Sequence, residues 1–228
     1  MLFNGTDHHM TYHLASFHNV CSCNPTHADC VSNIYCHSMP WPSYVVRAFN
    51  SIPAGGLYAA TDEAMLYGPI TTLLSHLFPA PNDYIVSPQW RLPHHHTAID
   101  FTLVFIVEQD QHPVFFLEVK PAGSSLLWSA RHLADQQMQS RFRDIGPILT
   151  IPTLHSVSAL GPHLCFYSYL QDTRQILPVL VPADPDYVDD NPVATRWDTD
   201  LMSEEGVQKL TAVAEHVKQM VRDHLMAA

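Results

Sequence analysis

Three ionisable residues stand on apolar segments, where charge is expensive to bury: Asp100, Glu118 and Lys120. Residues 99–107 and 113–121 are β-branched and aromatic runs of strand length, and residues 108–112 are polar enough to turn the chain between them. Side chains alternate along a strand, so Glu118 and Lys120 share one face, and Leu117 and Val119 share the other. Paired as a hairpin, the two strands are expected to put Asp100 at the open end of the first, near the level of Glu118 and Lys120. Desolvating an acid or an amine is costly unless the charge is paired or holds a metal. Two carboxylates, the backbone carbonyl of Val119 and waters would make an octahedral oxygen shell for Mg²⁺. An amine on the same face would orient a metal-bound water and stabilise charge developing at a phosphorus centre.

The flanking segments read as a scaffold for these strands. Thr61 or Asp62 caps a helix whose Ala64, Met65, Ile70, Leu73, Leu74 and Leu77 face a core, with Pro69 forcing a kink or late start and Pro79 the stop. Glu63 and Tyr67 share a face of this helix. Glu63 reads either as a first-turn acid complementing the helix dipole or as a carboxylate looking toward the strand site. A strand over 83–92 is followed by a polar loop, Pro93-His94-His95-His96, just before Asp100. After Lys120, Pro121 to Gly123 break the strand, and Ser124 or Ser125 opens a helix to about residue 144. Its apolar stripe is Leu127, Ala130, Ala134, Met138 and Phe142, with Gln137 at the border and Gly146-Pro147 as the stop. Arg131, Arg141 and Arg143 make it the most basic helix, either a solvated face or one that contacts phosphates. Strands are expected over 148–151, 156–160, 164–170 and 176–181, with Gly161-Pro162 turning the middle pair. An acidic, proline-bearing loop spans 184–200. Ser203-Glu204-Glu205 then opens a last helix with Val207, Leu210, Ala214, Val217 and Val221 on one stripe.

With helix, strand, strand bearing Asp100, strand bearing Glu118-Val119-Lys120, helix and further strands in that order, the chain resembles the PD-(D/E)XK nuclease superfamily over residues 63–170. The Asp-to-Glu separation is 118 − 100 = 18 residues, and Ile99 stands where that family carries proline. The resemblance implies an α/β, restriction-endonuclease-like fold, a mixed central sheet flanked by helices. It also implies a Mg²⁺-dependent nuclease in which Asp100 and Glu118 bind the ion and Lys120 supports the attacking water. Gln137, with Gln136 the alternative, would be the helix glutamine of that family, and Glu63 its glutamate on the preceding helix. Nucleic acid, DNA or RNA, is the implied partner.

Composition bounds these expectations. The chain has 228 residues and 46% apolar content, enough for one sizeable core at 51–228 behind a loosely ordered extension at 1–50. No apolar run reaches membrane-spanning length, and the N-terminus lacks the charge and hydropathy of a secretory signal, so an intracellular setting is expected. Net charge is −11, unfavourable for phosphate partners, but 11 of the 22 acids lie from Asp172 onward, while residues 91–143 carry five acids and five bases. Cys21, Cys23, Cys30 and Cys36, with His27 and His37, are either free thiols of the extension or zinc ligands. Other function classes stay open: a catalytically silent module of the same fold that binds partners, and a glycosidase using Asp100 and Glu118 as acid and base, where Lys120 has no duty.

Overall fold

The structure, a computed structural model, describes residues 41–53, 56–59, 62–88, 103–123, 128–180 and 196–227. Asp100, the cysteines of the extension, the histidine run and the residues expected to open the helix at 124–127 lie outside them.

The β-branched and aromatic segments form one seven-stranded sheet: β1 (Tyr84–Pro88), β2 (Leu103–Gln109), β3 (His112–Lys120), β4 (Thr153–Leu160), β5 (His163–Leu170), β6 (Gln175–Leu177) and β7 (Thr199–Asp200). The order is β1-β2-β3-β4-β5-β6, with β7 also on β5. Neighbours are antiparallel except β3 and β4. A parallel pair needs a long crossover, and α3 (Trp128–Ile145) supplies it.

Strand alternation sorts β3 between two helical layers. Phe116 meets Phe142 of α3, ring centroids 5.0 Å apart, so Phe116, Glu118 and Lys120 face α3. Phe115 points the other way, its ring 5.3 Å from that of Phe78, at the end of α2 (Tyr67–Leu77). On that face the terminal helix α4 (Glu204–Ala227) sets Lys218 over the Phe78 ring and shares a 2.9 Å contact between His155 and His216 ring nitrogens. β3 is therefore covered on both sides, and Pro113 through Val119 are all buried. Strands covered in this way read as continuous apolar runs.

Several elements depart from expectation. The helix after Asp62 opens as a 3-10 turn, Glu63–Leu66, before α2 begins. That tighter winding rotates the apolar stripe, so Leu66 is buried while Ala64 and Met65, expected in the core, are exposed. Residues 148–151 do not form a strand: Gly146–Ile148 is a 3-10 turn, and Leu149 and Ile151 reach the core without sheet pairing. β6 stops at Leu177 rather than 181, because Pro178 has no N–H for the ladder. A helix absent from the expectations, α1 (Ser43–Asn50), packs on α2. With Trp41 it brings Val45, Val46 and Phe49 into the core from a stretch read as part of the extension. Among the described residues, no helix is long and apolar enough to cross a membrane.

The C-terminal end of β3 is held by the turn after β4. Gly161 sits at φ +59°, and its N–H donates to the Lys120 carbonyl at 2.9 Å. A Cβ there would lie 2.6 Å from Ala122 Cα and Cβ. Gly161→Ala is therefore predicted to cost about 1–3 kcal/mol, from a left-handed backbone and a backbone clash together. Urea unfolding should show a lower midpoint, and an unchanged midpoint would mean that this junction moves aside freely.

Candidate functional site

Glu118 is 0% exposed, and it is there because β3 is both central in the sheet and covered on both faces. Its Cα partners are Val104 on β2 and Ser158 on β4, the latter also buried. Among the described residues neither of its carboxylate oxygens has a hydrogen-bond partner. Lys120 lies two residues along the same face, its Nζ 3.9 Å from Glu118 Oε1. That is attraction without a hydrogen bond. The Lys120 side chain is 12% exposed, so this end of β3 opens toward solvent.

Two further charges converge on Glu118 from other elements. Asp62 caps the 3-10 turn by accepting the Ala64 N–H at 2.8 Å, which fixes the turn carrying Glu63. Glu63 is half-buried and within electrostatic reach of Glu118, as is Arg141 from α3. Burial pushes the Glu118 carboxyl from an ordinary 4.5 up to about 7; Lys120 and Arg141 pull it down, and Glu63 pushes it up.

The other sequence-derived candidates are placed unequally. Gln137 is half-buried on α3, one turn before Arg141, whereas Gln136 is exposed and contacts His132 Nε2 at 2.9 Å. Val119 points its side chain into the opposite layer, leaving only its backbone for any ligand role. Register puts Val104 opposite Glu118; Asp100, four residues earlier in the sequence, lies outside the described residues. Arg141 was visible in sequence only as one of three helix arginines; its proximity to Glu118 is a property of the packing.

A comparison within the fold gives Glu118 its meaning. The other buried acid among the described residues, Asp135, is 1% exposed and fully engaged. Tyr167 donates to its Oδ1 at 3.0 Å and Arg196 to its Oδ2 at 3.1 Å, while Arg196 also donates to the Val179 carbonyl. Asp135 thus ties α3 to β5 and to the segment returning at residue 196. Glu118, equally buried, accepts no hydrogen bond among the described residues, and Lys120 is its ion-pair neighbour at 3.9 Å. Two hard oxygen donors without hydrogen bonds, beside a second carboxylate, fit a divalent cation such as Mg²⁺. Compared with family models, curated proteins and solved structures, the chain matches none.

The raised Glu118 value has a definite sign. The folded state holds the proton more tightly than the unfolded chain, so stability is full below about pH 4.5 and is lost as pH rises through about 7. The loss should total about 3 kcal/mol at 1.36 kcal/mol per unit. Urea titrations at pH 5 and pH 8 without metal should show the native chain weakening by about that much more than Glu118→Gln, which has no proton to lose. Parallel behaviour of the two proteins would contradict it.

Proposed function

We propose that the protein is a Mg²⁺-dependent nuclease hydrolysing phosphodiester bonds of DNA or RNA, with Glu118 and Asp100 as metal ligands and Lys120 beside the attacking water. The observation that carries this function is Glu118 itself: a wholly buried acid whose oxygens have no hydrogen bond among the described residues, two positions from an amine that reaches solvent. A restriction-endonuclease-like core is supported by the order α2, β1, β2, β3, α3, β4, with β3 antiparallel to β2 and parallel to β4.

In this mechanism the Glu118 oxygens, the Asp100 carboxylate and the Val119 carbonyl would hold the ion. Glu63 adds negative charge that strengthens the pocket for a cation. The bound ion would polarise the phosphodiester and acidify a water. Lys120, too far from Glu118 for a hydrogen bond, keeps its N–H groups for that water and for charge developing on phosphorus. Gln137 on α3 would orient the water or the substrate. Because burial holds the Glu118 proton up to about pH 7, activity at limiting Mg²⁺ should rise with pH through that region.

The deciding measurement is cleavage of labelled double-stranded DNA, single-stranded DNA and RNA in Mg²⁺, Mn²⁺ or EDTA. The native chain should cut at least one substrate with metal and none in EDTA. Asp100→Asn, Glu118→Ala and Lys120→Ala should each lose roughly 100-fold or more in kcat. A second function, a catalytically silent module of the same fold, draws on the net charge of −11. A folded sample that cuts none of the three polymers and binds no divalent ion would establish it instead.

A further inference from the structure

Arg141 occupies an unusual position for an arginine. It lies on α3 next to Phe142, whose ring packs on Phe116 two residues before Glu118, and one helical turn after Gln137. It is half-buried on the layer that covers the Glu118 face of the sheet. Among the described residues its guanidinium donates no hydrogen bond and joins no ion pair. Its neighbours differ: Arg143 donates to the Gln139 carbonyl, and Arg196 is committed to Asp135. A half-desolvated guanidinium carries five N–H donors in a rigid fork that matches a phosphate bidentately. Lys120 approaches the same acid from β3, so two cations bracket Glu118 from different elements.

We infer that Arg141 binds a phosphate group of the nucleic-acid strand adjoining the scissile bond, as a substrate-binding residue that sets the register of the strand over Glu118 and Lys120. This role presupposes the nucleic-acid site proposed above and adds a division of labour to it. Lys120, a compact point charge at the strand end, serves the reacting phosphate; Arg141, a planar fork on the facing helix, grips a neighbouring one. The competing explanation is that Arg141 only balances the charge of Glu118. The two differ in the salt slope without metal, which counts phosphate contacts and to which a guanidinium that only balances Glu118 adds none.

The test uses the full chain with Arg141→Gln and Arg141→Lys. Anisotropy of fluorescein-labelled 20-nucleotide single-stranded DNA, its duplex and the matching RNA is measured in EDTA across a salt series, alongside cleavage kinetics in Mg²⁺. Arg141→Gln should weaken binding about 10-fold and reduce the slope of log Kd against log salt by about 1, the value for one lost phosphate contact. Arg141→Lys should keep the slope while recovering only part of the affinity, and in kinetics KM should rise with kcat nearly unchanged. Half-saturating Mg²⁺ should stay the same in all three proteins. A shifted Mg²⁺ requirement with unchanged salt slope and KM would overturn the role of Arg141 while leaving the nuclease function standing. Binding that depends on Arg141 in a protein that cuts nothing would support the phosphate site and sink the catalytic function. A native chain that neither binds nor cuts any of the three polymers would overturn both.

Discussion

Burying an ionisable carboxyl in the central strand is the constraint from which the rest of the site follows. Glu118 lies between an antiparallel neighbour, β2, and a parallel one, β4, with helices over both faces of the sheet. Water cannot solvate it, and no described hydrogen bond replaces water. Burial therefore dominates its titration, and the charges of Lys120, Arg141 and Glu63 only modulate the outcome. A group in that condition stores binding free energy: any ligand that holds the ionised form regains part of the desolvation cost.

The crossover helix α3 does two jobs on one sheet face. Through Asp135 it is anchored to Tyr167 and Arg196 by charge-assisted hydrogen bonds, which makes its placement rigid. Through Phe142, Gln137 and Arg141 it covers the Glu118 side of β3. Anchoring and site lie within two turns of each other, so the hydrogen-bonded acid positions the helix whose arginine approaches the acid without hydrogen bonds among the described residues.

Much of this was visible in the period of the sequence. Alternation along 113–121 places Glu118 and Lys120 together whatever the tertiary context, and the spacing of Ala134, Met138 and Phe142 identifies the buried side of α3. What period could not supply was register. The β2-β3 turn uses Asp110 and Gln111 at positive φ without a glycine, and the register shifts just before it, between Val107 and Glu108. A turn lacking the usual residues gives no count of where the strands align, so the partner of Glu118 could not be named. The 3-10 opening at Glu63–Leu66 was equally hidden, because Asp62 caps either geometry.

By itself the sequence determined which residues are costly to bury and which share a strand or helix face, since those follow from side-chain chemistry and local backbone geometry. It also set where helices cap, as Ser203 does for α4 by accepting the Gly206 N–H at 3.0 Å. Only the tertiary structure decided which buried acid is satisfied and which is not. Asp135 and Glu118 end equally buried; one meets Tyr167 and Arg196 from 32 and 61 residues away, and the other meets no hydrogen-bond donor among the described residues. Long-range partners arise from how layers close on one another, and desolvation depends on that closure rather than on any residue alone.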